Sequence, residues 1–347
     1  MTFFASGFRL CSLRYLLALL LGLTPISEVR PVMAEEADPV APWVNRQSVN
    51  DTAGVLGFLI GQDMAISAIS RQHPDLATAL RARAVMFDAT YGNPMERVET
   101  FLKRGVGDQL PKLQEEITAG LAPLLDRQIP RYDAETFLRE MDERIEGRLI
   151  RDNVLATMLW LKFQADPVVE MDEWAVPYSS AGHPKALGLD VRLKLPRSWK
   201  GEEGERPHIV RKWTSQNGAG LDMIMLTVFA TPKQAVTLAD LQAEVDATGA
   251  AGFALEDHRV TDAATLRMDR QPALRVDQEG MLHSMERVMQ DRFRTYLVFT
   301  ETAMLQIQCM ASAEQDSPAE ALQARFEGLK RLCDRVAGSF VLPQQYE

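Results

Sequence analysis

The chain lacks the motifs by which common enzyme sites announce themselves. It has no GxSxG elbow, no HExxH pair, no P-loop and no dinucleotide glycine fingerprint, so hydrolase, metalloprotease and nucleotide-dependent chemistries are not signalled. Its five histidines are scattered. His283 and Glu286 form an HxxE, yet on a strand they point to opposite faces, which spoils joint ligation. Glu256-Asp257-His258 reads as a surface turn in preference to part of a metal site. Accordingly no catalytic, cofactor-binding or metal-binding residue is assigned, and no cofactor is expected.

Basic charge is also in deficit, with 38 Lys and Arg against 48 Asp and Glu and a net charge of -10. A nucleic-acid partner is therefore not expected, because phosphate neutralisation needs a basic face. Long apolar runs are missing too. Beyond the N-terminus no segment approaches the roughly 20 apolar residues of a membrane span.

The N-terminus itself has the pattern of an export signal. Arg9 and Arg14 precede a compact apolar run at residues 16–23, and Val32-Met33-Ala34 supplies small residues at the cleavage positions. Cleavage between Ala34 and Glu35 is expected, placing the protein in the periplasm. Secretion, or retention by an uncleaved signal, is the alternative, since Glu28 and Arg30 interrupt the stretch before the cleavage site. Cys11 would leave with the signal, so Cys309 and Cys333 would remain as an even pair in an oxidising compartment. Cys309 shares a strand face with Leu305 and Ile307. Cys333 lies on a helical stripe with Leu322, Phe326, Leu329, Val336 and Phe340. Either the two sulfurs bridge, or they remain separate buried thiols that pack as small hydrophobes.

The remainder divides into segments. Residues 35–49 form a proline-rich, extended lead. Residues 50–165 read as an all-helical domain of hairpins, with a long last helix at 134–163 and a linker at 166–186. Gly54, Gly57 and Gly61 on the first helix are expected to admit a close helix neighbour. Its mean composition is explained by such packing in preference to a membrane span. His73-Pro74-Asp75 matches the tripeptide of J-domain co-chaperones, but the preceding helix lacks a basic face, so a turn is expected.

From residue 187 the period changes. Leu189, Val191, Leu193 and Leu195 alternate with Asp190, Arg192 and Lys194, a half-buried strand. Further strands are expected at 208–213, 221–230, 258–261, 273–278, 282–290, 295–300 and 304–310. Helices are expected at 237–246 and 318–340, with hairpin turns at Gln278-Glu279-Gly280 and Glu301-Thr302. The fold class is α+β: an all-helical N-terminal half, then an antiparallel sheet covered by helices.

A strand ending in Pro196-Arg197-Ser198-Trp199, a charged loop, two strands, a helix, a meander and a last helix resemble a PsbP-like α/β/α sandwich over residues 187–342. That family includes extrinsic photosystem subunits and small bacterial envelope proteins. The resemblance implies a non-catalytic domain that binds a partner at a membrane-facing compartment. The phrase GHPKA…LPRSWK…ERPHIVRKW is also similar to exported bacterial proteins with a helical N-terminal half.

The best candidate site is the loop of that stretch. His183, Lys185, Arg206 and His208 set donors and cations at the two ends of one hairpin, with Trp199 near them. Such a cluster fits an envelope protein's acidic segment or a small anionic ligand. Alternatively these cations pair with Glu202 and Glu205, and the tryptophans belong to the core. The function expected is an exported, non-catalytic binding module of the cell envelope. The competing reading is an exported hydrolase or metal-dependent enzyme built around His183, His208 or His258.

Overall fold

The computed structural model describes residues 44–346 except positions 232, 234 and 284–287, and at 124 and 125 the backbone alone. The expected signal, its cleavage at Ala34 and Glu35, the lead as far as Trp43, and Glu286 lie outside the described residues. Seven α-helices open the described residues: α1 (Arg46–Gln72), α2 (Ala77–Tyr91), α3 (Pro94–Val106), α4 (Leu110–Leu125), α5 (Arg131–Ile145), α6 (Asp152–Phe163) and α7 (Pro167–Glu173).

Helix α1 starts at a reciprocal cap, in which the Asn45 side chain accepts from Ser48 N–H and Ser48 Oγ accepts from Asn45 N–H. Such a cap satisfies two donors that a helix start leaves open. By length and composition α1 could cross a membrane. Here it is the spine of the bundle, burying Val55, Leu56 and Leu59 against α3, α4 and α6, and Ile69 against Leu80 of α2 and Ala134 of α5. Helix α6 is buried almost all round, and Phe101 meets Trp160 edge to face at 5.2 Å. The glycines of α1 do not mediate the close approach expected of them. A Cβ at Gly54 or Gly57 would meet nothing within 4 Å, and one at Gly61 would make only ordinary contact with Leu121. The tight crossing lies instead at Gly105 of α3, where a Cβ would stand 2.6 Å from Val49 Cγ2.

The long helix expected at 134–163 is two helices. Gly147 and Leu149 take positive φ values of 76° and 54° between α5 and α6. Gly147 lies under the indole of Trp174, which a Cβ would strike at 2.6 Å. A tertiary contact therefore overrides a locally helical pattern. His73-Pro74-Asp75 is the turn between α1 and α2, held by His73 Nε2 on Ile129 O at 2.9 Å.

After α7, strands β1 (Ala175–Ser179) and β2 (Arg192–Pro196) form a two-stranded ribbon. Seven strands then form one antiparallel sheet: β3 (Lys200–Glu203), β4 (Ile209–Thr214), β5 (Asp222–Ala230), β6 (His258–Met268), β7 (Gln271–His283), β8 (Val288–Phe299) and β9 (Ala303–Glu314). Their spatial order is β3-β4-β5-β9-β8-β7-β6. Helix α8 (Leu238–Thr248) packs on β6 and β7 through Leu241, Leu274, Val276 and Leu297. Helix α9 (Ala319–Ala337) covers the opposite face through Leu322, Phe326, Leu329 and Val336. The result is a mixed α+β chain, with a helical half followed by an antiparallel sheet packed between helices.

Two expected turns differ in outcome. Glu301-Thr302 does join β8 to β9. Gln278-Glu279-Gly280 is not a turn, because β7 runs straight through it to His283 and β8 begins at Val288. Gly280 is needed for a different reason. The His258 ring crosses it to reach the next strand but one, and a Cβ would stand 2.5 Å from His258 Cδ2.

Cys309 on β9 and Cys333 on α9 are bridged, with their Cα atoms 5.9 Å apart. The strand parity and helical stripe both aim these sulfurs into the layer between sheet and helix. The closed loop spans 24 residues. Replacing both cysteines by alanine should therefore lower unfolding free energy by about 3 kcal/mol on the chain-entropy account. Urea denaturation of the oxidised protein beside the double variant measures it, and a loss well under 1 kcal/mol would contradict it.

Candidate functional site

The residues proposed from sequence do not form one site. His183 Nδ1 accepts from Lys185 N–H at 3.2 Å, which places the ring proton on Nε2, 4.0 Å from Glu203 Oε1. Lys185 Nζ pairs with the same carboxylate at 3.2 Å and donates to Gly204 O. His183, Lys185 and Glu203 thus bind the segment before β2 to the β3 hairpin. Arg206 is exposed at the hairpin end. His208 stacks on Phe229 with ring centroids 4.7 Å apart and 25° between planes. Glu202 and Glu205 pair with Lys200 and Lys212, not with the candidate cations.

Trp199 belongs to a different place. It is 8% exposed and lines a cleft of about 520 Å³ between the helical half and the sheet half. The first wall comes from Gln47 and Asp51 of α1 with Asp152, Asn153 and Ala156 of α6; the second holds Arg197, Lys200 and Asn217. Val176 of β1 lines it beside Trp199. A smaller cavity of about 300 Å³ lies at the start of α3, lined by Asn93, Arg97, Thr100 and Arg104.

Side-chain hydrogen bonds join the two walls of the cleft. Asn45 Nδ2 donates to Ala219 O at 2.7 Å, joining the start of α1 to the turn before β5. Arg197 Nη2 reaches Asp152 Oδ1 at 3.3 Å, and Asn217 Nδ2 reaches Asp51 Oδ2 at 3.4 Å. Asn217 has a φ of 53° in a turn of left-handed residues, and its N–H donates to Ser198 O at 3.0 Å. An Asx side chain tolerates that conformation better than most residues. Burial raises the Asp51 carboxyl above its ordinary range, against hydrogen bonds from Asn217 and Gln47 and the nearby charge of Lys200.

Beneath the cleft, Glu170 of α7 fixes the corner that carries Arg197 and Trp199. Its side chain is 1% exposed. Ser198 N–H donates to Oε1 and Ser198 Oγ–H to Oε2, both at 2.6 Å. Desolvation pushes the Glu170 carboxyl up to about 7, with the Ser198 and Arg197 hydrogen bonds opposing. The sequence reading found Trp199 but missed Asp51, Asp152, Asn153, Glu170, Arg197 and Asn217 as one locality.

His258 occupies a third surrounding. Its Nε2 lies 3.0 Å from Asp291 Oδ1 and its Nδ1 2.7 Å from Glu256 O, while both side chains of the pair are buried. The triplet Glu256-Asp257-His258, read as a surface turn, thus anchors its histidine in the sheet. Among the described residues no group of three or more His, Cys, Asp or Glu stands together as a metal site.

No family model matches the chain, and no curated protein matches it. Among solved structures it is similar to LpqN, a protein involved in cell envelope biogenesis of Mycobacterium tuberculosis. The similarity covers 49% of this chain and 92% of LpqN at 13% identity and a TM-score of 0.31. Likeness at that level assigns neither family nor role.

Proposed function

We propose that the protein is an exported, non-catalytic binding module of the bacterial cell envelope. Its sheet half is PsbP-like, and it takes a component of the envelope in the cleft walled by α1, α6 and the Arg197–Trp199 corner. The observation that carries the reading is the cleft itself: about 520 Å³, lined by polar side chains from both halves together with Ala156, Val176 and the edge of Trp199. Pockets of this size with a few convergent polar groups are the usual form of a ligand site. The signal-like N-terminus and the bridged Cys309–Cys333 pair support export. His183, His208 and His258 lie in three separate surroundings, so the enzyme reading has no assembled constellation to draw on.

In-cell photo-crosslinking tests it. A photoreactive residue is placed at Asn153 on the cleft rim or at Arg206 on the exposed hairpin, and the cells are then fractionated. Adducts are expected from position 153, in the envelope fraction. Adducts from 206 alone would move the interface to the hairpin and the Lys185 cluster. Adducts from neither, or adducts confined to the cytoplasm, would sink the proposal.

A further inference from the structure

The charged groups of the cleft balance. Asp51 and Asp152 face Arg197 and Lys200, two of each sign. Three of these four charges are already engaged, Arg197 with Asp152 at 3.3 Å and Lys200 with Glu202 at 2.8 Å. A cleft built for an anion or a cation would carry an excess of the opposite sign. This one carries none.

What remains for a ligand is a mixed set of donors and acceptors. Asn153 offers an amide that can both donate and accept; Gln47 and Asn217 each keep an amide group beyond their hydrogen bond to Asp51, and Asp51 adds its remaining acceptor capacity. Donors and acceptors side by side match hydroxyl groups, which also do both. Ala156 on the first wall, Val176 of β1 and the edge of Trp199 add apolar lining. Apolar lining of this kind favours the C–H surface of a ligand, while amides on the rim orient its polar edge.

Resting on the binding-module reading of this cleft, we infer that its ligand is a neutral, polyhydroxylated molecule, a saccharide of about two rings. The apolar lining of Ala156, Val176 and the Trp199 edge receives the C–H surface of one sugar, and Asn153, with the remaining amide groups of Gln47 and Asn217 and the Asp51 carboxylate, binds the hydroxyl edges. Such a ligand joins both walls, so it also tightens the contact between the helical half and the sheet half.

The test is a titration of the full chain with chitobiose, cellobiose and maltose, followed by saturation-transfer NMR and tryptophan fluorescence. Inorganic phosphate serves as the charged probe. At least one disaccharide should bind with a dissociation constant of about 1 mM or tighter. Asn153→Trp fills the mouth and should abolish binding; Asn153→Ala should weaken it about tenfold, the loss of one well-placed hydrogen bond. Asn153 is exposed and makes no side-chain hydrogen bond that holds the fold, so both variants should keep the wild-type melting temperature. Arg206→Ala, outside the cleft, should bind as the wild type does. If no disaccharide binds at about 10 mM, or Asn153→Trp binds equally well, the inference is overturned. Phosphate binding that Asn153→Trp removes would overturn it in favour of an anion. Crosslinked adducts from position 153 together with silent sugar titrations would refute the ligand class and leave the binding module standing; the loss of both would refute both.

Discussion

Replacing Arg294 by alanine is expected to cost about 4 kcal/mol of stability, the usual range for stranding one member of a buried pair. Arg294 lies on β8 directly opposite Asp277 on β7. Its Nε and Nη2 donate to both Asp277 oxygens at 2.8 and 2.7 Å, a bidentate fork, with side-chain exposures of 8% and 5%. Nη1 reaches outward to Asp334 of α9 at 2.6 Å, and that carboxylate also accepts from Tyr296 at 2.6 Å. One guanidinium thus ties two strands to the covering helix. Without it the buried Asp277 carboxyl loses its bidentate partner, and the desolvation it has undergone is no longer offset. Asp334→Ala should cost only about 1 kcal/mol, because that carboxylate is half exposed and its loss leaves Arg294 paired to Asp277. An Arg294→Met, Asp277→Leu double variant should be less damaging than Arg294→Ala, since it removes the stranded charge as well. Urea unfolding of the four proteins measures these differences. The account fails if Arg294→Ala costs no more than Asp334→Ala.

That network shows which parts of this chain were legible beforehand. Asp277 lies in a strand that was readable, whereas Arg294 falls between the strands expected at 282–290 and 295–300, where the structure has the end of β7 and one continuous β8; the β2 run Leu193, Leu195 against Arg192, Lys194 is buried and exposed in the expected alternation. The inward placement of Cys309 and Cys333 was legible, because strand parity and helix stripe are local periodicities that tertiary packing then uses, but whether the two sulfurs bridge depended on a distance no period conveys. What the period could not convey was any contact that depends on a distant segment. Gly280 has the appearance of a turn residue, yet its φ is not the reason for it; the ring of His258, 22 residues away, passes over it. Gly147 ends α5 because Trp174 sits on it. The cleft is harder still. Asp51 and Asn217 are 166 positions apart, and polar residues on a cleft wall follow no period. The hairpin cations were conspicuous by composition, but charge density in a loop mostly reports local ion pairs, as Lys185–Glu203 and Lys212–Glu205 show.

Glu170 gives the largest expected dependence on pH. Its ordinary carboxyl value of 4.5 rises to about 7 in the folded chain, because burial disfavours the charged form more than the Ser198 and Arg197 donors favour it. The folded state therefore holds the proton more tightly than the unfolded state does. Stability from this group is fully present below pH 4.5, declines as the pH rises toward 7, and is lost above that. At about 1.4 kcal/mol for each pH unit, the whole change is about 3 kcal/mol. Glu170→Gln retains an acceptor for Ser198 but cannot ionise, so its stability should be flat across this window and should exceed the wild type's at pH 8. Glu170→Ala leaves the Ser198 N–H and hydroxyl unmatched in a buried space and opens a cavity, so at pH 5 it should lose about 4 kcal/mol. At pH 8 that deficit should shrink, because the wild type has by then lost its own advantage. Since Glu170 holds the corner that carries Arg197 and Trp199, the cleft should loosen along with it. Tryptophan fluorescence of the wild type should shift between pH 5 and 8, while that of Glu170→Gln stays constant. Denaturation curves for the three proteins at pH 5 and 8 decide the matter: a wild type whose stability rises across this window, or a glutamine variant that tracks it, would show that Glu170 is ionised in the fold throughout.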